Sequence, residues 1–418
     1  MDLFFKLMYN LSIRSYVLFL RIAACFHPKA KQWINGRRGL LARLQHQLPA
    51  TGVDLWIHCA SLGEFEQGRP LIEALHRDQP TAYILLTFFS PSGYTTRKTY
   101  RQADIVCYLP ADTPGQARQF LQLVRPRLTV FVKYEFWFNL LSQLQQQQRP
   151  VLLISGIFRS NQLFFKPYGG PFRRLLKGYT RLFVQDQRSA SLLQAIGIKQ
   201  YSIAGDTRFD RVNQLAQATP DYPDIRTFLA GANCWVAGST WPPDEQLLST
   251  VVDRVDKWII APHEIGEKHL QEIEALFPGR TIRYTHLRAH PEAGHDKQLL
   301  LLDTIGMLSA LYKFGVVAYI GGGFGKGIHN TLEAAVYGIP VLFGPRHEKF
   351  EEARQLLAEG AAFEIKNATE LQGRVTQLAD SSFREAAGRK ARHYIENNLG
   401  ATAAILQYIQ ENRFLIKP

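Results

Sequence analysis

The segment 316–345, VVAYIGGGFGKGIHNTLEAAVYGIPVLFGP, constrains the fold more than any other part of the chain. It reads as a buried strand, a glycine-rich turn, a polar helix start at 329–331, a helix through Tyr337 and a second strand, which together predict one βαβ unit. Because the turn carries few side chains and precedes a helix N-terminus, a ligand could lie against its backbone N–H groups. The segment predicts a parallel α/β fold with an anionic ligand, such as a nucleotide or sugar phosphate, at the turn.

The turn does not match the familiar phosphate-binding fingerprints. Its five glycines stand at 321, 322, 323, 325 and 327. Lys326 breaks the dinucleotide spacing G-x-G-x-x-G, and Gly327 follows that lysine where a P-loop has Ser or Thr. The alternative interpretation is a tight packing turn between strand and helix.

Short apolar runs alternate with helical stretches along the rest of the chain, which predicts parallel sheets with helices on both faces. Strands are predicted at 54–59, 83–88, 105–109, 128–132, 151–155, 182–185 and 201–204, then at 234–237, 258–261, 282–286, 299–302, 316–320, 340–343 and 363–365. Helices are predicted at 66–78, 136–147 and 382–412, and 213–223 reads as a linker. We therefore predict two doubly wound Rossmann-like domains facing a cleft, at 29–212 and 224–418. Polar segments follow many of the strands, and ligands bind at such carboxyl edges.

The charge and the cysteine content of the chain indicate which partners it binds and in which cellular compartment it works. With 49 Lys and Arg against 36 Asp and Glu, the formal net charge is +13, which predicts nucleic acid, an anionic membrane surface or a phosphorylated substrate as partner. The four cysteines, Cys25, Cys59, Cys107 and Cys234, have no C-x-x-C spacing and read as reduced residues in a cytosolic setting. No D-x-D pair or other metal-ligand spacing occurs, so we expect a metal-independent mechanism.

The N-terminal stretch 3–24 is mostly apolar, and Lys6, Asn10, Arg14 and Arg21 fall in one narrow stripe at 100° per residue. A spanning helix would bury Arg14 in mid-bilayer at a cost of about 2.5–3.5 kcal/mol, and no clean signal-peptide core or cleavage site is present. We therefore predict that 1–28 is an interfacial helix on an anionic membrane surface. A buried first helix of the domain is the alternative.

Further motifs occur in order along nearly the whole chain: WIHCASLGEFEQGRPLIEAL, KYEFWFNLL, GDTRFDRV, AGSTWPPDE, APHE, DTIGMLSALY and HNTLEAAVYGIPVLFGP. Together they resemble the 3-deoxy-D-manno-octulosonic acid (Kdo) transferases of lipopolysaccharide biosynthesis. The resemblance implies an inverting glycosyltransferase of the GT-B type that moves Kdo from CMP-Kdo to a phosphorylated lipid A precursor of the lipid IVA type. It also implies a monotopic protein at the cytoplasmic face of the inner membrane.

In the first predicted domain, the resemblance assigns catalytic roles to Glu64, Glu135 and Arg208. Glu64 would be the general base that takes the proton from the acceptor hydroxyl, while Glu135 and Arg208 would stabilise the transition state. The family usually has Lys at the position of Arg208. For Glu64, the alternative is a first-turn carboxylate that complements the helix dipole.

In the second predicted domain, the resemblance implies donor contacts from three segments. They comprise Pro262, His263, Gly306, Met307, Leu308, Asn330, Thr331, Leu332 and Glu333. Backbone groups at 306–308 would read the cytosine edge, and Glu333 would accept from ribose hydroxyls. His263 stands where the family commonly has Arg, Gly323 where it has Ser, and Ile328 where it has Gly, so the phosphate contacts are expected to differ.

Two other functions are also compatible with the sequence. Another GT-B glycosyltransferase, or a sugar-nucleotide epimerase using a UDP-sugar, would share the fold and the glycine turn. A non-catalytic nucleotide- or nucleic-acid-binding protein at a membrane surface would suit the charge of +13. No nucleic-acid module or aromatic-basic repeat occurs, so nucleic acid is not expected as a partner.

Overall fold

The computed structural model of the chain describes residues 2–218 and 220–415 and divides into two compact units. The first unit runs to Arg211 and takes up the chain again from Leu399, and the second unit runs from Val212 to Asn398. Each contains one parallel sheet of seven strands. The two Rossmann-like domains predicted from the sequence are confirmed.

In the first unit the strand order is β3-β2-β1-β4-β5-β6-β7. The strands are β1 Leu55–Cys59, β2 Ile84–Phe88, β3 Ile105–Tyr108, β4 Leu128–Val132, β5 Val151–Gly156, β6 Arg181–Val184 and β7 Tyr201–Ile203. The helices that begin here are α1 Asp2–Ala23, α2 Pro28–Arg37, α3 Leu40–Gln47, α4 Leu62–Asp78, α5 Pro91–Arg97, α6 Pro114–Val124, α7 Phe138–Gln146, α8 Gly170–Lys177, α9 Gln187–Ala195 and α10 Thr207–Gln217. Strands β1, β2, β4 and β5 are buried along their whole length, as expected of parallel strands covered on both faces.

In the second unit the strand order is β10-β11-β9-β8-β12-β13-β14. The strands are β8 Cys234–Thr240, β9 Lys257–Pro262, β10 Thr281–Arg283, β11 Leu299–Leu301, β12 Val317–Ile320, β13 Val341–Phe343 and β14 Ala362–Glu364. The helices are α11 Pro223–Leu229, α12 Pro242–Ser249, α13 Glu267–Leu276, α14 Tyr284–Ala289, α15 Leu308–Leu311, α16 Leu332–Ala335, α17 Glu351–Ala358, α18 Ala368–Ala379 and α19 Ser381–Asn397. Helix α20, Ala401–Glu411, belongs to the first unit again.

The direction of winding reverses once in each sheet. The reversal lies between β1 and β4 in the first sheet and between β8 and β12 in the second sheet. Ligands of doubly wound sheets bind beside the carboxyl ends of the strands at such switch points. Each unit therefore has one edge at which functional side chains are expected.

Several boundaries differ from the sequence-based prediction. The strand predicted at 282–286 ends at Arg283, because α14 begins at Tyr284. The helix predicted at 382–412 is divided into α19 and α20, and Gly400 between them has a left-handed φ of 106°, which favours glycine. The linker predicted at 213–223 is helical through Gln217, and position 219 within it lies outside the described residues.

The second domain was predicted to run from 224 to 418, but α20 packs in the first unit. Ile405 and Ile409 lie in one buried cluster with Leu71 of α4 and Leu86 of β2. The periodicity of α20 predicts an amphipathic helix without indicating which sheet it covers, so this return of the chain could not be read from the pattern. Residues 416–418 of that prediction lie outside the described part.

Helix α1 has two apolar faces, an inner face with Phe5 and Tyr9 that packs on the first unit and an outer face that is exposed. Phe5 packs its ring edge-on against Phe138 and Phe172, and the Tyr9 hydroxyl donates 2.7 Å to Asp112 Oδ2. We call Leu3, Phe4, Leu7, Met8, Leu11, Leu18, Phe19 and Ile22 the outer face, and these side chains are exposed. By length and apolarity the helix could cross a membrane, but its inner side is packed on the first unit.

The predicted polar stripe on α1 is only partly directed to solvent. Lys6, Arg14 and Arg21 are exposed. Asn10 instead accepts a 2.9 Å hydrogen bond from the Asn139 side chain and is half-buried. The helix is therefore neither a free anchor nor a buried core helix, because it packs by one face and leaves another apolar face exposed.

Candidate active site

Glu64 and Glu135 come together at the switch point of the first sheet. Glu64 lies in the first turn of α4, directly after β1, and Glu135 follows the neighbouring strand β4. Lys133, between β4 and Glu135, has a left-handed φ of 69°, which a non-glycine residue adopts only where its surroundings hold it. The chain turns sharply there and places Glu135 close to β1.

Glu135 is held in a buried hydrogen-bond network. Its Oε2 lies 3.0 Å from Nε2 of His58 and also accepts from the indole N–H of Trp137. On its other side, His58 Nδ1 lies 2.9 Å from the hydroxyl and 3.1 Å from the carbonyl oxygen of Thr87. Since His58 and Glu135 are 0% and 6% exposed, the contacts of this pair are shielded from water. The rings of His58 and Trp137 both contact Oε2 and so hold the Glu135 carboxylate in one orientation.

Glu64 caps the N-terminus of α4, and its pKa is also shifted towards neutral pH. Its Oε2 accepts a 3.0 Å hydrogen bond from the Ser61 N–H and completes a capping box at the start of α4. Burial and the nearby Glu135 carboxylate raise the pKa of Glu64 to about 7, against the opposing effect of His58 and of backbone N–H groups. Backbone hydrogen bonds from Ala60 and Ser61 act on the carboxylate and lower its pKa. The capping oxygen fixes the side chain, and the other oxygen can receive a proton near neutral pH.

Arg208 stands at the start of α10 and is paired with Asp206. Its Nε lies 2.9 Å from Asp206 Oδ2, and the buried Asp206 also accepts from the amide of Gln67. Burial raises the pKa of Tyr134, and the charges of Arg159, Glu64 and Arg208 also act on that hydroxyl. Arg208 and Glu64 therefore lie around the same tyrosine, which follows β4.

In the second unit, the predicted donor residues gather at the switch point between β8 and β12. Pro262 is the buried last residue of β9, and His263 after it is exposed. The imidazole of His263 stacks on Trp241 at 4.7 Å and on His329 at 4.4 Å between ring centroids. Burial and the neighbouring His263 lower the pKa of His329 to about 4. The His329 ring is therefore neutral at pH 7.

The segment after β11 meets the end of β8. Gly306 is exposed with a left-handed φ of 94°, and Met307 accepts from the Thr304 hydroxyl through its sulfur. A Cβ at Gly238 would lie 2.0 Å from the Tyr312 hydroxyl and 2.9 Å from Leu308, so only glycine fits there. Burial and the Glu333 carboxylate raise the pKa of Tyr312. These contacts bring 306–308 and Glu333 to one place.

The helix predicted from 329 through Tyr337 is much shorter in the structure. Helix α16 has four residues, Leu332–Ala335, and so contributes little of the dipole on which the phosphate prediction depended. Thr331 and Leu332 are buried, and the Leu332 N–H donates to the Asn330 side chain at 3.1 Å. Asn330 donates 3.0 Å to Glu333 Oε1 and orients that carboxylate.

Most glycines of the turn are required because other backbone segments pack closely against them. A Cβ at Gly321 would lie 2.3 Å from the Ser239 carbonyl oxygen, and one at Gly323 would lie 2.5 Å from Gly344 Cα. The N–H of Gly322 is taken by the buried Asp244 at 2.9 Å, and those of Gly325 and Gly327 by the Gly322 carbonyl. Gly323, Phe324 and Lys326 keep backbone N–H groups without a backbone acceptor in the described chain. The packing interpretation therefore accounts for most of the glycines.

Three residues of these clusters were not singled out from the sequence as site residues, namely His58, Trp137 and Trp241, and His329 was noted only as part of the polar helix start. His58 lies inside β1 and reads as a core residue of a buried strand. Trp137, Trp241 and His329 follow strands, which is the signal that could have found them. No group of three or more His, Cys, Asp or Glu in residues 2–218 and 220–415 could hold a metal ion.

Two Rossmann-like sheets, each with a polar cluster at its switch point, define a protein of the two-domain GT-B fold. Residues 32–211 match the family model of the 3-deoxy-D-manno-octulosonic-acid transferase (kdotransferase). The 3-deoxy-D-manno-octulosonic acid transferase of Bordetella pertussis is 30% identical over 387 residues, which cover 85% of this chain and 87% of the relative. That of Aquifex aeolicus is 28% identical and covers 78% of this chain and 85% of the relative. The chain belongs to the Kdo transferase family.

Among solved structures, the fold is shared with enzymes of another activity. The UDP-GlcNAc 2-epimerase from Neisseria meningitidis bound to UDP-GlcNAc superimposes with a TM-score of 0.59 at 13% identity, over 86% of this chain and 100% of that chain. At that identity the likeness extends to the fold alone, because one fold hosts many activities.

Proposed function

We propose that this enzyme transfers Kdo from CMP-Kdo to a hydroxyl of a phosphorylated lipid A precursor, with inversion and with Glu64 as general base. The observation that carries the proposal is the Glu64 carboxylate. It is anchored through Oε2 and placed beside Glu135, and its pKa of about 7 suits proton abstraction at neutral pH. Membership of the Kdo transferase family supports the choice of donor and acceptor.

In the proposed step, the acceptor O–H gives its proton to Glu64 Oε1 while the oxygen attacks the anomeric carbon of Kdo. The bond from that carbon to the phosphate oxygen breaks, and CMP leaves with the electron pair. Glu135, fixed by His58 and Trp137, faces the positive charge that develops on the sugar ring. Arg208 contributes a guanidinium already aligned by Asp206 for an anionic group of the donor.

For the donor nucleotide, we propose backbone contacts from Gly306, Met307 and Leu308, and ribose contacts from Glu333. The stacked rings of Trp241, His263 and His329 offer a flat surface beside the phosphate. Because His329 is neutral at pH 7, this surface contributes hydrogen bonds and stacking more than charge. No metal ion is proposed for the step.

For localisation, we propose that the enzyme is monotopic and lies on the cytoplasmic face of the inner membrane. The outer face of α1 supports this, since it exposes eight large apolar side chains of one helix to solvent. The packed inner face argues against a transmembrane orientation, which would require the helix to leave the first unit.

The test is incubation of the purified enzyme with CMP-Kdo and a lipid A precursor in detergent, followed by mass analysis of the lipid. We expect addition of Kdo and release of CMP. A parallel incubation with UDP-GlcNAc distinguishes the epimerase alternative, for which no product is expected. Thermal unfolding should show stabilisation by CMP and not by UDP, and the reverse preference would contradict the proposal.

A further inference from the structure

Two adjoining pockets lie in the first unit, between helices α1 and α2 and the segments that follow strands β2, β3 and β4. The first, which we call the apolar slot, has a volume of about 280 Å³. It is lined by Ile13, Val17, Trp33, Phe89, Ala111 and Trp137, with Tyr16 and Asp112. The second, which we call the basic pocket, has a volume of about 610 Å³ and shares Val17, Trp33 and Ala111 with the slot. Its volume is in the range of ligand sites, about 300–1,000 Å³.

The chemistry of the two pockets is complementary. Asp112 is the acid in the slot, and its carboxylate oxygens are occupied by the Tyr9 hydroxyl and by the N–H groups of Asn139 and Leu140. The slot therefore offers rings and aliphatic groups to a ligand. The basic pocket is lined by the cations Arg21, Lys31, Arg37 and Arg38.

Arg37 is a half-buried cation that has no acidic partner in the described chain. Its guanidinium donates to the carbonyl oxygens of Leu109, Trp33 and Phe89 at 2.7, 3.2 and 2.9 Å. It lies 3.6 Å from the ring centroid of Trp33. Three of its five N–H groups are used in this way, and burial lowers its pKa. A desolvated cation without a counter-anion is stabilised by an anionic ligand in the adjoining pocket.

We propose that the two pockets together bind one anionic phospholipid of the bilayer. Its phosphate would lie against Arg21, Lys31 and Arg38, and one acyl chain would enter the slot. This site goes beyond the proposed transfer reaction, because the ligand is a membrane lipid that is not consumed. The exposed outer face of α1 supports the choice, since a helix that lies on a bilayer would hold the adjoining pockets close to lipid molecules.

The position of the cations favours a bilayer lipid over the acceptor. The slot ends at Phe89 and Trp137, whose rings lie 5.0 Å apart, and the indole N–H of Trp137 donates to Glu135. The basic pocket contains neither of those two residues. A reacting hydroxyl must lie beside Glu64 and Glu135, whereas the cations lie beyond the slot. A lipid in the slot would contact the ring of Trp137.

Quenching of tryptophan fluorescence by brominated acyl chains tests the site in the full-length protein. Trp33 and Trp137 line the slot. In neutral detergent, we expect saturable quenching by brominated phosphatidylglycerol at one lipid per chain, and much weaker quenching by brominated phosphatidylcholine. The variant Ala111→Phe, which fills the slot, should abolish the saturable component. Equal quenching by the two lipids, or none, would overturn the proposal.

Variants of the exposed cations test the same site without a substitution in the slot, where Ala111→Phe could disturb folding. Replacing Arg21, Lys31 and Arg38 by Gln should weaken phosphatidylglycerol binding by about fivefold per cation, on the order of a hundredfold in all. A matched control replaces the exposed cations Lys98, Arg101 and Lys199 by Gln and should leave binding unchanged. Similar weakening in both variants would mean that net charge and not this pocket attracts the lipid.

Two further readouts separate this site from the transfer reaction. Stoichiometric displacement of phosphatidylglycerol by the purified lipid A precursor would assign the slot to the acceptor and overturn the proposal. Kdo transfer to detergent-dispersed acceptor should persist in both charge variants, since none of these cations is placed in the catalytic step. Lipid binding without transfer in the wild-type protein would contradict the proposed function and leave the lipid site standing.

Discussion

Glu64 serves the fold and the proposed chemistry with different oxygens. Oε2 completes the capping box of α4, and the proposed step assigns the acceptor proton to Oε1. A capping box accepts Gln as well as Glu at this position. The substitution Glu64→Gln therefore removes the proton acceptor while it keeps the cap, which few catalytic carboxylates allow.

We expect Glu64→Gln to lower the turnover number by about 10²–10⁴-fold and to stabilise the fold at neutral pH. The folded-state pKa of Glu64 is raised from 4.5 to about 7, so the folded wild type binds more protons than its unfolded chain between those values. The stability of the wild type should consequently fall more steeply than that of the Gln variant as pH rises through that window. Urea midpoints of both proteins across the window measure this difference. A constant difference would mean that Glu64 is ionised throughout.

The second residue-scale prediction concerns the pH at which activity is half-maximal on the acid side. The carboxylate of Glu135 raises the pKa of Glu64 and His58 lowers it. The midpoint should therefore shift to lower pH in Glu135→Gln and to higher pH in His58→Asn, whatever the loss in maximal rate. Tyr179→Phe is the control, because it removes a hydrogen bond to the Glu135 carbonyl without changing a charge. Shifts in the same direction for the two charge variants would remove His58 from this role.

At the scale of elements, the sequence was sufficient for the sheets but not for the local geometry of the sites. Every strand of the structure overlaps a predicted strand, because buried parallel strands appear as apolar runs. The length of α16 was overestimated, since the apolar residues 334–337 suit a helix or a turn equally well. His58 was missed because a histidine inside a buried strand looks the same whether its partner is a carboxylate or a carbonyl group. Those differences depend on tertiary contacts that no local pattern contains.

We expect substitutions on the outer face of α1 to affect membrane binding and substitutions on its inner face to affect the stability of the fold. Replacing Phe4, Leu11 and Ile22 of the outer face by Ser should cost about 1 kcal/mol of membrane affinity each, or on the order of a hundredfold in vesicle partitioning. Thermal stability and transfer to detergent-dispersed acceptor should be unchanged. The inner-face variant Tyr9→Phe should do the opposite and cost about 1–3 kcal/mol of unfolding free energy, because Asp112 loses one donor. Loss of stability in the outer-face variant would show that this face is also packed.

The glycine turn after β12 depends on a single buried carboxylate. Asp244 accepts from the Gly322 N–H at 2.9 Å, the Trp241 N–H at 2.9 Å and the Tyr319 hydroxyl at 2.8 Å. We expect Asp244→Ala to cost about 2–4 kcal/mol of unfolding free energy, since three donors lose one acceptor. CMP affinity should fall with it, whereas Asp253→Ala, at an exposed acid of the same unit, should change neither. Unchanged CMP affinity in a destabilised Asp244 variant would mean that the turn does not shape the nucleotide site.

At the scale of the whole molecule, the fold does not decide the chemistry. The same fold occurs in the UDP-GlcNAc 2-epimerase of Neisseria meningitidis, whereas the sequence relatives are Kdo transferases. We therefore expect the functional differences to lie in the residues at the switch points, such as Glu64 with His58 and Glu135 in one sheet and the stacked rings of the other.

The net charge of +13 raises the question of whether the whole molecule or a local stripe attracts the membrane. The Debye length at physiological salt is about 8–10 Å, so only cations close to the bilayer contribute. With α1 lying on the surface, these are Lys6, Arg14 and Arg21 of the helix, together with Lys31 and Arg38 of the basic pocket. Replacing Lys6, Arg14 and Arg21 by Gln should lower the salt dependence of binding to anionic vesicles, while the exposed outer face of α1 keeps a residual, salt-resistant affinity.

Co-sedimentation with vesicles at low and high salt measures both components. The outer-face variant should show the converse behaviour, with binding at low salt that disappears at high salt. Neutral vesicles should bind the wild type and the cation variant equally. If the cation variant retained the full salt dependence, the remaining positive charge of the protein would be the attractive element, and α1 would contribute only its apolar face to the interaction.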